Sequence, residues 1–302
     1  LNWPIIFLLT AISGFGFVML YSVSGGAIER WSQPQMQRFV VGMAGLFVVA
    51  MIPIWFWRNM SFLAYSIVVL LLIAVEFIGV SGMGAQRWID VGFIRLQPSE
   101  VMKIALVLVL AAYYDWLPLE RTSRPLWVLF PSILILIPVF LVLRQPDLGT
   151  SLLLIMGGGA IMFLAGVHWA YFTAIIGSSF GLVIAVFQTR DTAWQLLKDY
   201  QYTRIDTFLD PGRDPLGAGY HITQAKIALG SGGWTGRGFM KGTQSRLNFL
   251  PEKHTDFIFT TLSEELGFVG SISLLGLYTL VVVFCIISAL SNKDRFSSLL
   301  TL

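Results

Sequence analysis

Runs of about eighteen or more predominantly apolar residues recur along this chain, and no other feature constrains its fold as strongly. They lie near 4–23, 39–57, 61–80, 98–117, 126–143, 148–166, 169–187 and 266–290. At about 1.5 Å per helical residue, each can cross about 30 Å of hydrocarbon. Only 12% of residues are charged and 56% are apolar, whereas a soluble domain is about a quarter charged. So little charge cannot clothe eight apolar helices in a polar surface. The chain is therefore predicted to be all-α, a polytopic membrane helix bundle. Its single cysteine, Cys285, lies inside an apolar run, which excludes a disulfide framework and a thiolate metal site. The opening LNWPIIFLL has no basic segment or small-residue cleavage site and reads as a first span rather than a removable signal.

Most joints are short. WRNM at 57–60 and GVHW at 166–169 read as tight turns between antiparallel neighbours. One connection differs: from Gln188 to about Asp256 the chain is polar and rich in Gly and Asp-Pro. Loops of this length are usually functional or disordered. Two helix-like pieces, 194–209 and 220–229, predict an ordered cap on the membrane face. The final SNKDRFSSLLTL turns polar and then restarts an apolar pattern, as at the start of a further span.

Eight spans put both chain ends on one face and the long loop on the other. Arg58, Arg121, Arg124, Lys293 and Arg295 fall on the terminal face, against Arg30, Arg38, Arg87, Arg95 and Arg144 in short loops opposite. The positive-inside rule gives no orientation from such a balance. The long loop adds Arg190, Lys198, Arg204, Arg213, Lys226, Arg237, Lys241, Arg246 and Lys253. Either its seven acids, Asp256 included, neutralise this charge, or the face meets an anionic ligand.

Polar groups at membrane depth are costly and therefore functional candidates. In GMGAQRWIDVGFIRLQPSEVMK, Pro98 suits a helix first turn and Glu100 its positive end. Lys103 stands three residues on, either as a structural ion pair with Glu100 or as a cation held ready for phosphate. In RQPDLGTS, Asp147 suits an N-cap, while Arg144 faces a partner. The glycine-rich GAGYHITQAKIALGSGGWTGRGFMKGTQS matches neither G-x-G-x-x-G nor a P-loop. It reads as tight turns, or as backbone able to approach a ligand, with Lys226, Arg237 and Lys241 supplying charge. In FLPEKHTDFIF, Glu252, His254 and Asp256 are too loosely spaced to specify a metal. Asp256 is followed at once by Phe257, Ile258 and Phe259, so it suits either an N-cap, as Thr255 does, or a desolvated general base.

Taken together, GAQRWIDVGFIRLQPSEVMK, RQPDLGTS, FLDPGRDPLGAGYHITQAKIALGSGGWTGRG and GTQSRLNFLPEKHTDFIFTTLSEELGFVG resemble the SEDS family of bacterial cell-wall polymerases. The match runs in order from about 82 to 270, and is nearer the elongation branch, RodA, than the division branch, FtsW. The resemblance implies a ten-span inner-membrane glycosyltransferase that polymerises lipid II into glycan strands. Eight spans fall within this chain, with two more and a glycine-rich segment expected beyond Leu302. It further implies cytoplasmic termini, a periplasmic loop over 188–256, the elongation machinery, and a class B penicillin-binding protein as transpeptidase partner. It makes Asp256 the catalytic residue and places Glu100, Lys103 and Asp147 in a central cavity. It associates a divalent cation, Mg²⁺ or Mn²⁺, with the activity. Arg144, Arg204, Lys241 and Thr255 complete the expected substrate contacts, with Arg and Lys facing pyrophosphate. No role with nucleic acid is expected. Rival classes are a lipid II flippase, which would call for inverted repeats and broken helices with GGG at 157–159 as the candidate break, and a non-catalytic scaffold for the transpeptidase.

Overall fold

The computed structural model describes residues 2–82, 85–90, 92, 95–192, 194–197, 199–210, 212, 218–243 and 254–302. All eight expected long helices form: α1 Trp3–Val23, α2 Ser32–Met51, α3 Ile54–Ile78, α4 Pro98–Trp116, α5 Pro125–Arg144, α6 Leu148–Leu164, α7 Trp169–Gln188 and α10 Ile258–Ser291. Between the last two lie α8, Asp199–Leu209, and α9, Ala218–Ser231, and the chain closes with α11, Arg295–Thr301. Six of the helices are long and apolar enough to cross a membrane; α4 carries Glu100, Lys103 and Asp115, and α6 is shorter. Their outward surfaces are crowded with exposed Phe, Leu, Ile and Val, as lipid-facing helices require. The chain is an integral membrane protein.

Several boundaries differ from expectation. WRNM is not a turn but lies inside α3. The break falls at Pro53, in extended conformation with φ −65° and ψ 145°, because a proline lacks an N–H and drives its predecessor out of the helical region. The second span accordingly runs 32–51 rather than 39–57. The GVHW joint is a turn, with Gly166 at φ 96°. The first loop helix begins at Asp199, not 194. The all-α expectation also missed a small antiparallel sheet of β1 Val80–Gly82, β2 Ala85–Asp90 and β3 Arg95–Leu96, in the order β1-β2-β3. β1 and β3, of three and two residues, leave no periodic signal, and the six residues of β2, AQRWID, do not alternate apolar with polar.

Residues divide into two compact units, 1–51 with 180–284 and 52–179 with 285–302. In the second unit α4 is the central helix, packed by α3, α5, α6 and α11. Its buried Met102, Leu106, Val109, Leu110 and Tyr114 meet Leu72, Val139, Val142, Leu154 and Phe296 in one core. The GGG at 157–159 does not break α6. Gly158 instead lets α6 close on Ile135 of α5, where an added Cβ would fall 2.6 Å from the isoleucine side chain. At the Arg295 end, Arg58 bridges Asp115 and Asp294, while Arg295 donates to Leu117 O and Ala165 O, the open C-termini of α4 and α6.

In the first unit α10 breaks. Gly267 adopts φ 67°, ψ −162°, a conformation essentially confined to glycine. The carbonyls and amides released there do not go unpaired. A glycine-rich strap, residues 232–243, lies against the break: Arg237 and Gly238 N–H donate to Glu264 O and Glu265 O, while Phe268 and Val269 N–H donate to Gly233 O and Trp234 O. Gly236, at φ 79°, has no room for a Cβ beside Glu265 O. The lower loop is tied as well. Arg190 makes a fork of two bonds to Asp206 of α8 at 2.9 and 2.7 Å and lies over the Tyr202 ring, whose hydroxyl donates to Val186 O.

Gly236→Ala should therefore destabilise the detergent-solubilised protein by about 2 kcal/mol or more. Gly230→Ala, helical with open space around it, should be neutral or stabilising by up to about 1 kcal/mol; paired thermal melts check both. A second expectation concerns acid. The Ser297 hydroxyl, then its N–H and Arg58, hold the Asp294 carboxyl below its usual range against a smaller desolvation effect. A depressed folded value stabilises the protein above the ordinary carboxylate pKa of about 4. That stability is lost as pH falls through the lower, folded value. The melting-temperature gap between wild type and Asp294→Asn should hold at neutral pH and close below about pH 4.

Candidate functional site

Asp256 sits in a turn, 254–257, immediately before α10. Expected to be desolvated by the aromatics that follow it, it is instead exposed. The turn leaves Asp256 exposed and Phe257 only half-buried, since neighbours in sequence do not decide which side of a turn is buried. The Asp256 side chain makes no hydrogen bond or ion pair with another described residue, and so does not act as an N-cap. Its two predecessors line a groove of about 600 Å³ between α1, α2 and α10, which reaches Tyr278. The floor is apolar, with Ile12, Gly16, Phe17, Leu20, Phe39 and Ile258. The rim is polar, with Gln35, Arg38, His254 and Thr255. His254 is fixed by stacking on Trp31 at 4.0 Å between ring centroids, and the Arg30 guanidinium lies 5.7 Å from the Trp31 ring. A groove lined mostly by apolar side chains that also includes a cation and hydroxyls suits a lipid bearing a polar, anionic head.

Two buried carboxylates set the α10 end of this region. Glu264 and Glu265 are 0% and 1% exposed inside an apolar helix. Glu264 Oε1 accepts from Thr243 N–H and Oγ1 at 2.6 and 2.9 Å. Glu265 accepts from Met240 N–H at 3.0 Å and from the Ser22 hydroxyl of α1. They fasten both the strap and α1 to the helix that begins beside Asp256. Sequence reasoning passed over this pair, although two adjacent acids in an apolar run are themselves a signal of function or anchoring.

The other expected residues fall in two groups. In the second unit, Lys103 pairs with Glu100 at 2.8 Å, as their spacing predicts. Asp147 caps α6, accepting from Thr150 N–H and Oγ1 at 3.1 and 3.0 Å. Arg87 of β2, 3.9 Å from that carboxylate, donates to Gln145 O and Pro146 O, clasping the α5–α6 joint. Arg144 does face a partner: Glu76 of α3, at 3.5 Å. Glu76, a charge inside an apolar run, was also overlooked in the sequence. In the first unit, Lys241 is exposed on the strap and Thr255 is on the groove rim. Arg204 belongs to α8, with its side chain outside the described residues, as are Arg213, Arg246, Glu252 and Lys253. Among the described residues no group of three or more His, Cys, Asp or Glu side chains is placed to hold a metal ion, so a divalent cation would find no ready-made ligand set among them.

The comparisons with known proteins extend over the whole of this architecture. Peptidoglycan glycosyltransferase MrdB of Escherichia coli K12 is 42% identical over 291 residues, covering 94% of this chain and 74% of MrdB. A probable peptidoglycan glycosyltransferase FtsW of Shewanella sediminis is 34% identical, covering 92% and 68%. Among solved structures, a chain of a peptidoglycan synthase complex, solved for its structural coordination of polymerization and crosslinking, superposes with a TM-score of 0.82 at 29% identity, covering 99% of this chain and 81% of that one. The rod shape determining protein RodA of Thermus thermophilus gives 0.68 at 26% identity, covering 99% and 79%. Residues 2–302 match the FtsW/RodA/SpoVE family, described as cell cycle proteins, and the chain belongs to that family.

Proposed function

We infer that this chain is a peptidoglycan glycosyltransferase that polymerises lipid II during cell elongation, working beside a class B penicillin-binding protein. The observation that carries this reading is the amphiphilic groove, whose rim residues His254 and Thr255 lead directly into Asp256. A soluble sugar would need no apolar trough. A polyprenyl-linked sugar needs both the trough for its tail and cations for its pyrophosphate, and Arg38 supplies a fork-shaped donor at the rim. The fold sits in the bacterial inner membrane with cytoplasmic termini, and the 188–256 loop faces the periplasm.

In the reaction, a sugar hydroxyl of the incoming lipid II attacks the anomeric carbon of the growing strand. A new glycosidic C–O bond forms as the bond to the pyrophosphate oxygen breaks, with the pyrophosphate leaving as an anion. Asp256 accepts the hydroxyl proton and returns it to water. Exposure keeps its carboxylate accessible to an arriving sugar and to solvent between turnovers. Arg204 and Lys241, in the same unit as the groove, are the remaining candidates for the phosphates; in the other unit Lys103 is paired with Glu100, Arg144 with Glu76, and Asp147 caps α6. A flippase reading has less support. α6 is unbroken at GGG, and the break in α10 is bonded to the strap's main chain rather than left open to a cavity.

Asp256→Asn should abolish glycan polymerisation from purified lipid II while leaving folding and transpeptidase binding unchanged; substantial polymer from this variant removes Asp256 as the base. Gly16→Leu should fill the groove where no atom now lies within 4 Å of an added Cβ, and Arg38→Gln should weaken its rim. Each is expected to lower kcat/KM for lipid II by about tenfold or more, mostly through KM.

A further inference from the structure

A second groove, of about 520 Å³, lies wholly within the other unit. It opens between α3, the end of α4 and the beginning of α5, and its walls include Phe62, Tyr113, Trp116, Trp127 and Phe130. These walls are braced. Tyr113 Oη donates to Trp127 O at 2.8 Å, and the ring centroids of Trp116 and Trp127, and of Tyr113 and Phe130, stand 5.8 and 5.2 Å apart. Such a slot suits a flexible hydrocarbon chain, which can follow a fixed aromatic contour at little cost.

The charges beside it are selective. Arg58 is bonded to Asp115 and Asp294, and Arg295 to two carbonyls. Arg121 and Arg124, both exposed, make no ion pair with any described residue. Arg121 lies 5.9 Å from the centroid of Trp127, a wall of the slot, and Arg124 is the N-cap of α5, three residues before that tryptophan. Glu120 offsets one of the two charges in part. Tryptophans at helix ends mark the depth of lipid headgroups. The apolar slot thus has Arg121 over one of its wall tryptophans and Arg124 at the start of the helix that carries that wall, with no acid paired to either among the described residues.

We propose that this groove is a binding site for an anionic phospholipid. An acyl chain lies against Tyr113, Trp116, Trp127 and Phe130, and Arg121 and Arg124 hold the headgroup phosphate. Basic pockets at the ends of spans favour acidic headgroups, and arginine adds paired N–H donors to phosphate oxygens. The site is separate in its residues from the proposed glycosyl-transfer groove and does not depend on that reading.

Native mass spectrometry of the full-length protein, with phosphatidylglycerol or phosphatidylcholine of matched chains, tests this. Wild type should retain phosphatidylglycerol about fivefold or more over phosphatidylcholine. The surface double variant Arg121→Gln/Arg124→Gln should lose that preference with an unchanged melting temperature. Ala112→Leu, which narrows the slot, should weaken retention of both lipids. Equal retention of the two lipids by wild type, or an undiminished preference in the double variant, would overturn the proposal. So would a crosslink from Trp116→Cys to the membrane helix of a transpeptidase partner, which would make the occupant a protein.

Discussion

Within hydrocarbon, every main-chain donor and acceptor must find a partner inside the protein, because each one left open costs several kcal/mol. A spanning helix meets this requirement until it bends. α10 breaks at Gly267, and the groups released there are taken up by the main chain of residues 233–238. What would otherwise be a detached extramembrane loop becomes part of the helix's own hydrogen bonding. Glu264 and Glu265 extend the same logic to side chains, accepting from Thr243, Met240 and Ser22. Loop, α1 and α10 are locked into one body, and the turn bearing Asp256 is mounted on it.

This mounting reconciles two demands of a polymerase with lipid-borne substrates. On the proposed reading, the Asp256 carboxylate must meet a water-soluble sugar, while the substrate tails remain in the bilayer. Asp256 is exposed, yet Thr255 and His254, one and two residues before it, belong to an apolar trough with Arg38 on its rim. The step from lipid to water is made within three consecutive residues. If Asp256 is the base proposed above, placement on this body, rather than burial of the acid, is what prepares it.

The helices were legible because a membrane imposes one coarse rule, length of apolar run, and the chain obeys it. Their ends were less so: Pro53 outweighed the polar look of WRNM, since a missing N–H and a ring clash act on backbone geometry, not on hydropathy. The Lys103–Glu100 pair and the Asp147 cap are local, at spacings of three residues, and could be read directly. Arg144–Glu76 and Arg87–Gln145 join positions 68 and 58 residues apart, and nothing local announces them. The desolvation of Asp256 failed as an expectation for the same reason. Flanking aromatics describe the neighbours of a residue along the chain, whereas exposure depends on which way a turn faces.

Four of the bonds that hold the strap to the break join main-chain atoms only, and this has an evolutionary corollary. Peptide groups are common to all residues, so the four bonds at the break survive replacement of Arg237, Phe268 or Val269, provided the glycines at 236 and 267 persist. Exposed side chains of the strap, Lys241 among them, can then diversify without loosening those four bonds. A lineage can retune what this periphery recognises while inheriting the scaffold beneath it unchanged.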